Sequence, residues 1–485
     1  MPALYRSAAM RSAVRKPAAG LAVLAACALL TPAAAGAHGI AQRADLPIPT
    51  WLFAWGASLV LLASFAALAV LWPRPRLQAV RERVLVRLPL ALELFAGALG
   101  VVSFALVVYA GLAGNQTATA NLAPTAIFVV LWVGFPVASA LFGDVFAALS
   151  PWRAVGRGVG FIATRLGAGA LPAPMAYPAR LGRWPAVLGI LAFVSLELID
   201  VHRDDPSRLA VIALLYAAVM LVGMSLYGAE AWCRNGDAFG VTFATFARLS
   251  PLHGERRELR LRPPLAGAPG LPQVPGATAL ILVLIGTTSF DGFSQGDVWT
   301  GEDGLAERLT RTFGDIGFGR EAAIQLASTA GLLAMVLLVA GLYRLGVAGM
   351  RSVGRDHTSA ELARRFGHTL IPIALAYLVA HYFSLLIFQG QALGYLASDP
   401  LGHGADLFGT ADWTIDYGVV SANAIWYVQV GALVVGHVCG LILAHDRALA
   451  TWSSPRTAMR SQYWMLSVMV AFTCLGLWLL SASAQ

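Results

Sequence analysis

The chain is poor in charge. Asp, Glu, Lys and Arg make up 12% of its 485 residues, while 58% are hydrophobic. An ordinary soluble domain carries about 25% charged residues. That deficit excludes a soluble globular enzyme and leaves a polytopic membrane protein. Cysteine is also scarce: Cys27, Cys233, Cys439 and Cys474 are the whole complement, at spacings that make neither a zinc knuckle nor a disulfide framework. Signature motifs are missing as well. There is no H-E-x-x-H, no paired C-x-x-C, no P-loop and no glycine run opening a helix after a strand, and "GMSLYG" is not a G-x-S-x-G elbow. The net charge of +8 comes from basic residues dealt out in short clusters between apolar runs. Such spacing is an orientation signal for membrane insertion and excludes a nucleic-acid footprint.

What is present begins with a leader. Arg6, Arg11, Arg15 and Lys16 precede the apolar run "GLAVLAACALL", then Pro32 and the small-residue pattern Ala35-Gly36-Ala37. This reads as a signal peptide over 1–37, cut after Ala37 so that His38 becomes the first residue. Two alternatives stay open. "LAAC", Leu24 to Cys27, resembles a lipobox that would make Cys27 a lipidated first residue, and the run can also be retained as an anchor.

Ten further stretches approach the roughly 20 apolar residues that a helix needs to cross the hydrocarbon core. They lie near 51–72, 90–113, 123–147, 184–201, 209–229, 277–290, 322–343, 368–388, 419–443 and 462–481, the sixth being short enough for a half-span. The expected fold is an all-α transmembrane bundle of about ten spans. With His38 outside, alternation places 24 of the 30 basic residues after the leader in cytoplasmic loops, which is the positive-inside pattern. The chain therefore reads as a multi-pass protein of the bacterial inner (cytoplasmic) membrane, with the mature N-terminus and the C-terminus on the outer side. Residues 38–253 form a first half of five spans, 254–276 a basic, Pro/Gly-rich and flexible cytoplasmic linker, and 277–485 a second half of five. "GDVFAALSP" at 143–151 and "GDAFGVTFATFARLSP" at 236–251 share Gly-Asp-x-Phe and Leu-Ser-Pro, a faint internal echo.

An ionisable side chain inside a span costs several kcal/mol unless it is paired or wet, so each one is a functional candidate. An inner layer holds Glu93, Asp144 and His437, with Asp237, His445 and Asp446 at the surface. Interhelical hydrogen bonding, with Gly436 and Gly440 spaced for close helix contact, accounts for that layer. An outer layer holds Glu197 and Asp200, three apart and so expected on one helix face, followed by His202. It continues with Asp291 at the end of span six, and with Tyr377, His381 and Ser384 on one face of span eight. The acidic loop with Asp399, His403, Asp406 and Asp412 comes after. Imidazoles with carboxylates suit a divalent metal, whether zinc, copper, iron or manganese, and a freed His38 could chelate through its amine and ring together. Haem shared by His381 and His437 is disfavoured by their separation of roughly 12 Å in depth.

"AHGI" before "DLPIPTWLF", "GDVF" with "SPWR", "SFDGF", "AYLVAHYFSLL", "SDPLG" and "GHVCGLILAHDRAL" together resemble a family of bacterial polytopic membrane proteins labelled fenitrothion hydrolase. The resemblance spans most of the mature chain. It implies hydrolysis of an organophosphorus triester at the bond to its aryl leaving group, within the membrane. That chemistry needs a hydroxide near neutral pH and a positive group at the phosphoryl oxygen, both of which a metal supplies. The expected ligands are His38, His202, Asp291 and His381, with Glu197 or Asp200 as orienter or general base. The competing expectation is a transporter or metal-handling protein with an ion path from His381 toward His437. Either reading takes the lipid bilayer and a small apolar substrate or ion as partners, and leaves room for a partner subunit or homo-oligomer.

Overall fold

The computed structural model of the protein describes residues 50–167, 175–255, 257–353 and 356–482. The expectations on the leader, Cys27, the cut after Ala37 and His38 as a ligand lie outside the described residues, as does the tail beyond 482. In chain order the principal helices are α1 (Thr50–Leu71), α2 (Leu90–Ala113), α3 (Leu122–Phe142), α4 (Pro151–Arg165), α5 (Trp184–Leu198), α6 (Pro206–Tyr227) and α7 (Ala238–Phe246). They continue with α8 (Ala277–Ser294), α9 (Leu305–Asp315), α10 (Arg320–Val353), α11 (Ile371–Gln389), α12 (Ala422–Thr451) and α13 (Pro455–Ala482). The chain is a helical bundle, and nine described helical segments are long and apolar enough to cross a membrane. The segment expected to be short, α8, has 18 residues and qualifies. The short one is α5, whose 15 residues extend about 22 Å against a hydrocarbon core of about 30 Å.

Burial sorts these helices by position. The membrane-length window of α8 is 78% buried and that of α2 only 6%. Thus α8 is central and α2 peripheral, with Leu92, Phe95 and Val102 turned outward as a lipid-facing surface would be. Because α8 is packed on all sides, its polar residues Thr287, Thr288, Ser289 and Asp291 are buried with it. Gly436 lets α12 approach α11 closely: a Cβ there would meet the Ala376 Cβ at 2.3 Å and the Pro372 carbonyl at 2.8 Å. Gly440, one turn on, faces the Thr369 carbonyl, so the expected G-x-x-x-G contact is made.

The two Gly-Asp-x-Phe segments do the same local work. Asp144 accepts from the Ala147 amide at 3.1 Å and Asp237 from the Gly240 amide at 3.0 Å, each opening a helix three residues earlier. Their phenylalanines converge on one aromatic cluster, with Phe146 and Phe239 both against Phe243.

Strands occur at the arginine-rich end. β1 (Arg83–Arg87), β2 (Leu252–Glu255) and β3 (Glu258–Leu261) form a sheet in the order β1-β3-β2, antiparallel throughout, with Arg83 opposite Leu261 and Leu252 opposite Leu261. The segment 254–276 is therefore not a loose connector. Its first part is paired to the segment between α1 and α2, and its later part is fastened by the Arg447 guanidinium, which donates to the Pro269 carbonyl at 2.8 Å.

Candidate functional site

At the end of the bundle opposite the sheet, α8, α11, α5 and α3 bring together Asp291, His381, Tyr382, Glu197 and Trp132. Asp291 lies one turn before the end of α8, beside the buried Gly292. Its Oδ2 takes two donors: the Tyr382 hydroxyl at 2.8 Å and His381 Nε2 at 2.7 Å. With Nε2–H committed to the carboxylate, the other ring nitrogen, Nδ1, keeps its lone pair. A Cβ added at Gly292 would lie 3.9 Å from that Nδ1, so the imidazole presents it toward the glycine face of α8. There a cavity of about 30 Å³ is lined by Ser289, Gly292, Tyr377 and His381, and closed by Leu433 of α12 and Gly476 of α13. That volume holds one or two waters and is about a tenth of the smallest pocket that encloses a drug-sized ligand.

Three polar atoms at this site are buried without a hydrogen-bond partner: Ser289 Oγ, Glu197 Oε2 and Trp132 Nε1. The Ser289 case departs from its neighbours. Thr287 and Thr288 both return their hydroxyls to the Leu284 carbonyl, at 3.2 and 3.0 Å, the usual way for a hydroxyl in a helix to satisfy itself. Glu197 sits in the last turn of α5 within electrostatic reach of Asp291, Tyr382 and Trp132, and the carbonyl of the same residue accepts from Arg203 Nη1 at 3.1 Å. Trp132 belongs to a ten-residue π-helical stretch of α3, Thr125–Gly134; such widened turns recur at functional sites.

Of the outer-layer candidates, Glu197, Asp291 and His381 are thus gathered. Asp200 and His202 are not. The three-residue spacing from Glu197 does not place Asp200 on the same helix face, because α5 stops at Leu198. Asp200 instead accepts from the His202 amide at 3.0 Å and pairs with Arg208 at 2.5 Å, while His202 is exposed. Tyr377 shares the His381 face as its spacing requires, and its hydroxyl donates to the Phe472 carbonyl at 2.8 Å. Tyr382, Ser289 and Trp132 are the members that sequence reasoning missed. A phenol, a hydroxyl and an indole in apolar spans read as packing, and the one available signal was a tyrosine adjacent to the candidate histidine.

The inner-layer candidates are occupied by structural work. Glu93 pairs with Arg157 at 3.2 Å, and Asp144 caps its helix. Asp446 accepts from the Trp72 indole and Gln78 amide and from the Arg76 and Leu77 backbone. Its neighbour His445 contacts the Gln462 Oε1 and the Trp72 carbonyl, both at 3.1 Å. His437 bonds not to a carboxylate but through Nδ1 to the Leu433 carbonyl at 2.7 Å, and its Nε2 is buried without a partner.

Among the described residues, the group of three or more metal-ligand side chains with mutually close donor atoms is Glu82, His253 and Glu255, at the sheet. Arg260 already reaches Glu82 at 3.6 Å and Glu255 at 3.1 Å, and Arg262 reaches Glu82 at 3.8 Å. Burial and then the Arg262 guanidinium hold the His253 imidazole below its ordinary 6.5. The carboxylates are therefore balanced by arginine, which is how a structural ion-pair network is built. The chain matches no protein-family model, no curated protein and no solved structure.

Proposed function

We propose that this chain is an integral membrane hydrolase in which His381, oriented by Asp291, is the general base. The substrate class is an organophosphorus triester reaching the outer half of the bundle from the lipid. The carrying observation is the 2.7 Å contact of His381 Nε2 with Asp291, with Nδ1 turned to a water-sized cavity. A base in this arrangement is fixed in ring orientation and tautomer by its carboxylate and keeps one nitrogen for the reacting proton. Tyr382 on the same Asp291 oxygen holds the carboxylate in place. The cavity has room for a reacting water or hydroxyl beside Nδ1 but not for the body of a triester, which would stay in the lipid. The resemblance to the fenitrothion hydrolase family supports the same substrate class. The arginine-rich loops support placement of the sheet end in the cytoplasm and the site toward the outside. A divalent ion would take Asp291 and His381 as its first donors, with the Glu197 carboxylate as a candidate third. Because the first two already satisfy one another, no step is routed through an ion.

Purified protein supplied with an aryl phosphotriester is expected to release the aryl alcohol, with the rate falling about 10³-fold or more in His381→Gln. No release by the wild-type protein would overturn the reading. Release that stops on chelation and returns with added metal would reassign Asp291 and His381 as ligands.

A second reading, proton or ion transfer, has its own observation. The cavity that His381 borders also reaches Tyr377 and Leu433, the Tyr377 ring lies 6.1 Å from that of His437, and the buried Nε2 of His437 is unpaired. A relay from His381 through water and Tyr377 to His437 would acidify sealed vesicles under an imposed gradient. His437→Leu would abolish that flux and leave hydrolysis unchanged.

A further inference from the structure

We propose that Ser289 is the nucleophile of this site and forms a covalent phosphoryl ester during turnover. The inference rests on the hydrolase reading above and deepens it. Ser289 is 1% exposed and its Oγ has no hydrogen-bond partner, although the two threonines before it satisfy theirs within the helix. A buried hydroxyl left unpaired is unfavourable, so an unsatisfied one opening on a cavity asks for a function. The cavity it opens on is the one His381 borders. The Nδ1 of that imidazole is free, and its Nε2 is held by a carboxylate from the same helix as the serine. Nucleophile, base and orienting acid are therefore Ser289, His381 and Asp291. These are the roles of a serine–histidine–aspartate triad, with Ser289 and His381 meeting at the cavity that both line.

The step balances without an oxidant or a further co-reactant. The Ser289 Oγ–H proton passes to His381 Nδ1 as Oγ bonds to phosphorus. The bond from phosphorus to the aryl oxygen breaks, and the proton on His381 passes to that oxygen. Water then attacks the serine phosphoester, gives its proton to His381, and Ser289 Oγ leaves with it. Asp291 holds the imidazolium through both halves and stays ionised. In the resting structure the serine and imidazole are not hydrogen-bonded; such contacts often tighten only when substrate arrives.

The test is a biotinylated alkyl fluorophosphonate, a phosphorus electrophile with fluoride as leaving group, applied to the full-length protein in membranes and followed by peptide mass spectrometry. The expected result is one adduct per chain on Ser289, absent in Ser289→Ala and formed about 10³-fold or more slowly in His381→Gln. Ser289→Ala removes only an unpaired hydroxyl and should fold as the wild type does, which melting of the purified variant checks. An unlabelled wild-type protein, an adduct elsewhere, or labelling of His381→Gln at the wild-type rate would each overturn the proposal. Undiminished triester hydrolysis by Ser289→Ala would also overturn it, assigning water as the nucleophile and leaving the role of His381 intact. Absence of hydrolysis in the wild type fails the underlying reading instead.

Discussion

Asp291→Asn is the perturbation that discriminates best. One carboxylate oxygen accepts from both His381 and Tyr382, within 2.8 Å of each, and Asp291 is only 7% exposed. Asparagine keeps the volume and changes two things. It removes the charge from both hydrogen bonds, which about halves their strength and costs roughly 1–3 kcal/mol of stability. It also offers an N–H₂ in place of one oxygen. If the amide turns that group toward His381, the imidazole must accept at Nε2, so that Nδ1 carries the proton and can no longer act as base. Loss of the tautomer in this way lowers turnover by about 10⁴-fold in a hydrolytic triad. Asp291→Ala goes further, leaving two buried donors without an acceptor, and should cost about 3–5 kcal/mol. The assay is paired: thermal unfolding in detergent, and the rate of fluorophosphonate labelling on the same preparations. A folded Asn variant whose melting temperature falls by only about a few degrees, but whose labelling is slowed by three or more orders of magnitude, is expected. Wild-type labelling by a folded Asn variant would refute the orienting role, and an Ala variant as stable as the wild type would refute the energetic reading of the cluster.

Two predictions concern other parts of the molecule. Asp446→Ala removes the acceptor for the Trp72, Arg76, Leu77 and Gln78 donors and should cost about 2–4 kcal/mol, with faster proteolytic cleavage within 73–89 as the readout; unchanged cleavage would mean that another contact holds this segment. In the loop between α11 and α12, the Ala411 amide and then the Ser398 hydroxyl hold the Asp406 carboxyl below its ordinary 3.8. The depressed value means that the ionised form belongs to the folded loop. Its contribution is complete above about pH 4, and is lost as pH falls through the lowered value. Trp413 fluorescence and loop proteolysis should therefore be flat above that pH and change below it. Loss of loop order between pH 5 and 7 would contradict this assignment.

The bundle was legible because membrane spans are a local signal: twenty apolar residues bounded by arginines need no knowledge of the partner helix. The distribution of His381 and Asp291 was legible for the same reason, as a polar residue in an apolar run marks itself. What Asp200 and His202 would do was not. Their spacing from Glu197 has helical meaning only if the helix continues, and α5 ends at Leu198. The sheet was missed because "RVLVR" is five residues long and its partner lies at 258–261, a pairing no window along the chain can see. Tyr382 and Ser289 escaped because their chemistry depends on which neighbouring helix they face. Gly436 shows the opposite case, where a residue pattern encoded its own contact with α11.

The pairing of β1 with β3 imposes an order of events on biogenesis. Arg83 faces Leu261, so β1 leaves the ribosome long before its partner exists. At roughly 5–20 residues per second, the wait is about 10 to 35 seconds. During that interval the segment between α1 and α2 carries an unpaired strand while α2, α3, α5 and α6 are being made. Pairing at the arginine-rich end therefore waits for β3, and because β3 precedes α8 in the chain, the sheet can close before the helix bearing Ser289 and Asp291 is made.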